Sequence, residues 1–481
     1  MILPSRREDA PSPFAADVLA RLPLAQAVLS LWGYLTTDEF LDRIYQQYRG
    51  RSFEDALTFP VFVQLIADAL TRHHGSGRKS FRDALRQGRL DTGIRTVYGK
   101  LGRLPLPLSL GFFHEFTTRL RPLLPAGTVV TALPASLDGL AVVVVDGKKI
   151  KRVAKRLLQR RGLPGKVYGG KLLVAYLPRQ GLAVALAADP NGEANDIRLL
   201  PALLPQARAC IAGPRLWVLD RQFCDLDQPQ QLSQDGNHYL IRFSLKTSFQ
   251  PDAERPARPG HDREVRPYTQ EWGWMGAESD RRRRYVRHIT LARSGAEAIL
   301  LVTDLLDADR YPAADLLAVY LARWQIEGVF QQITEVFDLR RLIGSTPQAT
   351  VFQAALCLVL YNLVQVVRAY IAAGRPEPTP VSSLSAEKIF DDLREELIAL
   401  HKMLDVPQVL ACVARPRTAA ELVAWLQTLL SRAWSPEWVK AKAGKRRPKA
   451  KAVKKSGAHT SVHKVLEADR RRRAKQKAEQ E

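Results

Sequence analysis

Apolar positions recur near a 3.6-residue period through the first 125 residues. FAADVLARL (14–22), TDEFLDRIYQQY (37–48) and PVFVQLIADALTRH (60–73) are the clearest cases, and the pattern predicts amphipathic helices. The Gly- and Ser-containing stretch HHGSGRKS (73–80) interrupts them. The period then changes. GLAVVVVDG (139–147) is a short β-branched run suited to a buried strand. KLLVAYL (171–177) and LAVALAA (182–188) flank Pro-Arg-Gln-Gly and predict a hairpin. PRLWVLD (214–220) and HYLIRFSL (238–245) predict two further strands, with room for a helix over 222–235. Residues 246–285 are rich in Pro, Gly, Arg and Trp, and YVRHITLA (285–292) and AILLVTDL (299–306) follow as strands. Together 246–300 read as a β-rich insertion. Helices return at 313–337, 349–373 and 385–403, with a Pro-rich break at GRPEPTP (374–380).

Composition adds a partner to this picture. The chain of 481 residues is long enough for two or three domains, and its formal net charge is +23. Such a balance points to a polyanion, most often nucleic acid, ahead of a merely soluble basic protein or a membrane-surface binder. The segment from Lys440 onward carries sixteen Lys and Arg against four Asp and Glu, about half of the whole excess. It is too polar to pack and is expected to be a basic disordered tail that adds salt-sensitive affinity for DNA. Cys210, Cys224, Cys357 and Cys412 are scattered without a CxxC pair, so neither a zinc site nor a disulfide framework is suggested. The N-terminal residues MILPSRREDAPSPF have acids and prolines where a signal peptide needs an apolar core. The longest apolar run, near Ala354–Leu360, is shorter than a membrane span. A soluble chain in a reducing, cytoplasmic setting with no membrane partner is expected.

Three carboxylates carry the candidate chemistry. Asp146 ends the run Val142–Val145, and Asp220 ends Leu216–Leu219. A carboxylate at the tip of a buried strand sits on a rigid element where a metal ligand can be held. Either aspartate alone also has the ordinary reading of a turn former, Asp146-Gly147 above all. Glu327 differs in kind. At about 100° per residue, Leu316, Tyr320, Arg323, Glu327, Phe330 and Phe337 fall in one stripe. Arg323 and Glu327 then share an inward face, where charge is costly unless it is paired or coordinates metal. They are spaced to pair with each other, or to face phosphate and metal respectively. Attack on a phosphodiester needs an activated oxygen and a stabilised leaving oxygen. Two Mg²⁺ or Mn²⁺ ions about 4 Å apart supply both, and such ions prefer carboxylate oxygens. A carboxylate-pair hydrolase such as a glycosidase is the competing enzyme class, but a neutral sugar does not call for so basic a chain.

Three collinear blocks resemble those of the DDE transposases of the insertion-sequence-four family, relatives of the transposon-five transposase. VVVVDGKK (142–149) is similar to the family's first-Asp strand. LWVLDRQFCD (216–225), followed by GNHYLIRF (236–243), is similar to its second-Asp block. YLARWQIEGVF (320–330) is similar to its Tyr-x2-Arg-x3-Glu-x6-Lys signature, whose final Lys falls on Thr334. A threonine can hydrogen-bond a phosphate but cannot neutralise it. The intervals are 74 residues from Asp146 to Asp220 and 107 from Asp220 to Glu327.

The resemblance implies an α/β fold with a ribonuclease-H-like catalytic core interrupted by a β-rich insertion. Helical regions and a basic disordered tail would flank it. The divisions are 1–125, helical and DNA-binding; 126–245 and 301–345, the two parts of the core; 246–300, the insertion; 346–439, helical with a dimer contact; and 440–481, the tail. It implies that Asp146, Asp220 and Glu327 are the catalytic and metal-binding triad for Mg²⁺ or Mn²⁺, two ions in all. Tyr320, Arg323 and Arg242 would contact DNA phosphates. Read from the residues alone, Lys148 and Lys149, which open the cluster KKIKRVAK (148–155), either place cations beside the scissile phosphate or form a solvated face, and Arg281–Arg284 either tracks a DNA backbone or is likewise solvated. Trp272 and Trp274 are candidates to stack on a flipped base, or else packing residues of the insertion. The partners implied are double-stranded DNA with terminal inverted repeats, target DNA and a second copy of the chain. The setting implied is the bacterial cytoplasm, associated with the nucleoid. Two functions remain open: metal-dependent strand cleavage and transfer, or DNA binding by a catalytically impaired descendant of such an enzyme.

Overall fold

The computed structural model describes residues 13–150, 166–336, 343–377, 379–440 and 459–479, together with Leu339 and Arg341. Seven helices come first: α1 (Pro13–Ala20), α2 (Pro23–Leu35), α3 (Asp38–Tyr48), α4 (Phe59–Thr71), α5 (Gly77–Arg86), α6 (Ile94–Arg103) and α7 (Leu106–Leu120). Side chains set several of their starts. Thr37, Thr58 and Ser76 each accept a hydrogen bond from a backbone N–H of the first turn, satisfying donors that a helix leaves unpaired.

The strands β1 (Ala141–Lys149), β2 (Lys166–Tyr168), β3 (Lys171–Leu177) and β4 (Leu182–Asp189) follow, then helix α8 (Leu200–Cys210). Next come β5 (Arg215–Leu219), the short helix α9 (Gln228–Leu232) and β6 (His238–Arg242). The segment expected to form one helix over 222–235 is thus mostly turns. The insertion contributes β7 (Phe249–Pro251), β8 (Arg258–His261), β9 (Pro267–Met275) and β10 (Arg284–Leu291), and β11 (Ile299–Thr303) leads back to the core. All of these except β2 join one mixed sheet in the order β4-β3-β1-β5-β6-β11-β10-β9-β7, with β8 also on β9. β1 is antiparallel to β3 and parallel to β5, and β5 is parallel to β6.

Alternation along β1 divides the interior in two. Val142 and Val144 face one core, together with Leu172, Val174, Leu216 and Val218; Val143 and Val145 face the other, with Leu173, Trp217 and the α8 residues Leu203 and Leu204. Both faces of the sheet are therefore covered, as a run of four buried valines requires.

The remaining helices are α10 (Ala313–Ala322), α11 (Gln325–Glu335), α12 (Pro347–Ala373), α13 (Ala386–Met403), α14 (Val406–Cys412), α15 (Ala419–Leu430) and α16 (Val462–Ala478), with strand β12 (His459–Ser461) just before α16. α12 is longer than the apolar run near Ala354–Leu360 that it contains. It is 27 residues long and contains an 18-residue window of mean hydropathy 1.8, so by length and composition it matches a spanning helix, but it is buried inside the fold along that whole apolar stretch. It packs against α7 and α6, so the helices before and after the sheet share one core. One of its buried amides is matched to an edge strand: Asn362 accepts from the Ala183 N–H and donates to the Ala183 carbonyl, at 3.0 and 2.7 Å. This satisfies backbone groups that the outermost strand would otherwise leave bare.

The basic tail is a second correction. Residues 459–479, expected to be disordered, form β12 and α16. β12 pairs in parallel with β2, the Ser461 hydroxyl accepts from the Gly192 N–H at 3.1 Å, and Val462 is wholly buried. A few packing residues at the start of the segment anchor a helix whose later residues are too polar to pack at all. The rest of the tail expectation, over 441–458, lies outside the described residues.

Candidate active site

The register of the sheet sets the first two carboxylates side by side. Val144 of β1 pairs with Val218 of β5, an offset of 74 residues, the same as the interval between Asp146 and Asp220. Both aspartates therefore lie two residues past the last parallel pair of these neighbouring strands. By the two-residue period they project to the face of Val144 and Val218, the face that α11 covers. Asp146 is not at a strand tip as expected, because β1 continues to Lys149 by pairing with β3.

Glu327 comes from α11, and the geometry differs from a single helical stripe. The chain breaks between α10 and α11 at Arg323-Trp324, where N–H groups reach back three residues: Arg323 to Tyr320, Ile326 to Arg323 and Glu327 to Trp324, each at 3.1 Å. Arg323 thus caps the C-terminus of α10 and Glu327 lies in the first turn of α11. Each charge sits at the helix end whose dipole favours it. Arg323 and Glu327 do not pair with each other as their spacing suggested. The buried Arg323 guanidinium donates instead to Asp146 Oδ2 at 3.1 Å, while Glu327 is exposed. The last residue of the expected stripe, Phe337, lies outside the described residues.

Asp146, Asp220, Arg323 and Glu327 line one cavity of about 710 Å³, together with Gly147, Lys148, Lys149, Lys171 and Thr334. Burial pushes the Asp146 carboxyl up to about 6, and the charges of Asp220 and Glu327 add to that while Arg323 and the Gly147 N–H oppose it. Three carboxylates lie within electrostatic reach of one another, in a cavity whose lining also carries the cations Lys148, Lys149, Lys171 and Arg323. Among the described residues, no group of three His, Cys, Asp or Glu side chains is drawn together in metal-binding geometry. The donor chemistry nevertheless fits a hard divalent cation: oxygen ligands only, and a repulsion that such a cation relieves.

The other predicted residues separate into those in the cavity and those outside it. The Lys148 ammonium donates to the Phe330 carbonyl at 2.9 Å and lies over the Phe330 ring, and the Lys149 ammonium lies 5.3 Å from the Tyr168 ring. The rest of that cluster, 151–155, lies outside the described residues. Tyr320 is buried behind Arg323, whose guanidinium is 5.6 Å from its ring. Arg242 ends β6 and pairs with Glu297 at 3.1 Å, away from the cavity.

Trp272 is wholly buried, donates to the Leu306 carbonyl at 2.9 Å and has the Arg255 guanidinium 3.9 Å from its ring. It is a packing residue of the insertion and cannot stack on a base. Trp274 is 39% exposed, with the Arg283 guanidinium 4.3 Å above its ring. Within the arginine run, Arg282 is paired to Asp280 and Asp227, so the run is not four unpaired cations. The residues that sequence reasoning missed are Lys171, Asp196 and Gln222, which meet behind Gly147. None of them belongs to a local pattern, because three different loops and strands bring them together.

Comparison with known proteins bears on this geometry. Residues 138–363 match the family model described as Transposase DDE domain. The matched span contains all three carboxylates and Arg323. An 81-residue stretch is 31% identical to the Sinorhizobium fredii (strain NBRC 101917 / NGR234) protein named "Putative transposase y4zB", covering 17% of this chain and 22% of that protein. The chain thus spans about a fifth of the length of this curated relative. A solved synaptic complex of piggyBac transposase with hairpin DNA aligns over 90% of both chains, at 12% identity and a TM-score of 0.40.

Proposed function

We propose that the protein is a metal-dependent transposase that cuts the ends of an insertion sequence and joins them to target DNA. The observation that carries this reading is the pair of register-matched aspartates just past the parallel pairing of β1 and β5, with Glu327 lining the same cavity. The transposase DDE domain match over that span supports it. The sheet order β4-β3-β1-β5-β6, antiparallel then parallel, supports the finer assignment of a ribonuclease-H-like core. The spacing of Tyr320, Arg323 and Glu327 supports membership of the insertion-sequence-four group.

In this reading Asp146, Asp220 and Glu327 hold Mg²⁺ or Mn²⁺. Two such ions, when bound, activate the attacking oxygen and stabilise the leaving oxygen of a phosphodiester. Arg323 fixes the orientation of Asp146, and Tyr320 packs behind that guanidinium. Lys148 and Lys149 supply cations on the cavity wall for DNA phosphates. The partners are double-stranded DNA ends with inverted repeats, target DNA and a second copy of the chain.

Thr334 favours a second reading, DNA binding without cleavage, since the signature cation is absent there. One assay separates the two. The purified chain, given DNA carrying the inverted repeats that flank its gene, is expected to nick it in Mg²⁺ or Mn²⁺ and to stop on addition of chelator. Binding without nicking in either ion would support the second reading. Nicking that survives the chelator would overturn the first.

A further inference from the structure

Beside the three carboxylates, with Lys171 in the lining of the same cavity, lies an ion pair that the chemistry above does not use. Lys171 of β3 and Asp196 pair at 2.6 Å, with side-chain exposures of 7% and 4%. Asp196 opens a 3₁₀ turn, Asp196–Leu199, that precedes α8. Burying two charges costs several kcal/mol per ion, which their attraction only partly offsets. A pair this expensive at the back wall of a reaction cavity calls for a reason beyond stability.

Two further contacts give one. The amide of Gln222 donates to the Asp196 carboxylate, and Gln222 stands two residues after Asp220, in the turn Arg221–Phe223. A Cβ placed on Gly147, the residue after Asp146, would overlap the same carboxylate. Gly147 lies outside the left-handed region, so glycine is needed there for space and not for backbone conformation. One carboxylate therefore touches β3, the residue following the first aspartate and the turn following the second.

We infer that Asp196 is a positioning residue: it locks the end of β1 to the Asp220 turn and so fixes the separation of Asp146 and Asp220. Lys171 neutralises it, so the brace adds no negative charge to a site that already has three carboxylates. This rests on the reading of Asp146 and Asp220 as ion ligands. Groups that orient metal-ligating carboxylates typically contribute about 10–100-fold in ion affinity.

The test is Mn²⁺ binding to the full chain without DNA, followed by electron paramagnetic resonance, alongside the thermal midpoint. The double variant Lys171→Met/Asp196→Ala removes both buried charges, so neither is left unpaired. It is expected to melt near the unmodified chain and to bind Mn²⁺ about tenfold or more weakly. Gly147→Ala, which displaces Asp196, is expected to shift binding in the same direction. An unchanged Mn²⁺ affinity in the folded double variant would overturn the inference, since a pair serving stability alone predicts that result. If the double variant does not fold, Gln222→Leu decides: it cuts only the link to the Asp220 turn, and weaker binding supports the brace while unchanged binding overturns it. Failure of the unmodified chain to bind Mn²⁺ would remove the metal-ion reading as well; unchanged binding in the variants removes this one alone.

Discussion

The carbonyl of Phe330 accepts two hydrogen bonds, from the Lys148 ammonium at 2.9 Å and from the Thr334 hydroxyl at 2.6 Å. A cation therefore already stands beside position 334, supplied by the strand and not by the helix. Lys148→Ala is expected to slow DNA cleavage at least about tenfold, on the scale of losing a charge-assisted contact. Thr334→Lys on that background is expected to restore most of the rate in single-turnover cleavage. Failure to restore, with folding intact, would mean that the two positions do not serve the same phosphate. The residue scale is also where sequence reasoning was strongest and weakest. The buried runs Val142–Val145 and Leu216–Leu219 placed both aspartates on rigid strands, and the sheet register then sets them side by side. For Glu327 the extrapolated stripe ran across a break at Arg323-Trp324 that has neither Pro nor Gly to announce it. It placed Glu327 inward, to pair with Arg323 or to face a metal, whereas Glu327 is exposed and Arg323 turns to Asp146, a partner 177 residues away.

Helix α2 begins at Pro23 behind Leu22, which offers no capping side chain. Glu396 of α13 serves instead, accepting from the Ala25 N–H at 2.8 Å. No local pattern could reveal such a cap, since donor and acceptor are 371 residues apart. Burial pushes the Glu396 carboxyl up to about 7, against the backbone N–H groups that favour its charge. A folded value above the unfolded one means that the fold prefers the neutral acid. Its contribution to stability is fully present below the usual glutamate range, near 4.5, and is lost as pH rises through about 7. At about 1.4 kcal/mol per pH unit, the loss is of order 1–3 kcal/mol. Glu396→Gln keeps the acceptor and removes the titration, so urea unfolding is expected to show it matching the unmodified chain near pH 4.5 and exceeding it at pH 8. Parallel stability curves at both pH values would contradict this. The tail shows the opposite limit of composition as a guide to elements. Its charge predicted disorder, but β2 offers an edge for β12, and a buried Val462 is enough to hold the start of α16.

At the scale of the whole molecule, the insertion is continuous with the core, because β11 pairs with β6 and carries β10 and β9 into the same sheet. The sequence pattern identified β10 and β11, and β9 only as part of a β-rich insertion, without showing that they would extend one sheet, a long-range pairing no local pattern encodes. The positive charge is similarly organised. Arg470, Arg471, Arg472 and Arg473 are exposed on a helix anchored through β12 and Val462. Replacing these four by Ser, which leaves the anchor intact, is expected to reduce the slope of log affinity for DNA against log salt by up to about 3 to 4, near 0.9 per phosphate contact. An unchanged slope would show that the helix does not meet DNA.

The central claim concerns Asp146, Asp220 and Glu327, and strand cleavage measured beside DNA binding tests it most directly. Asp146→Ala, Asp220→Ala and Glu327→Ala are each expected to abolish cleavage of end-containing DNA in Mg²⁺ while binding of that DNA persists. Substantial cleavage by any one of the three would contradict the assignment.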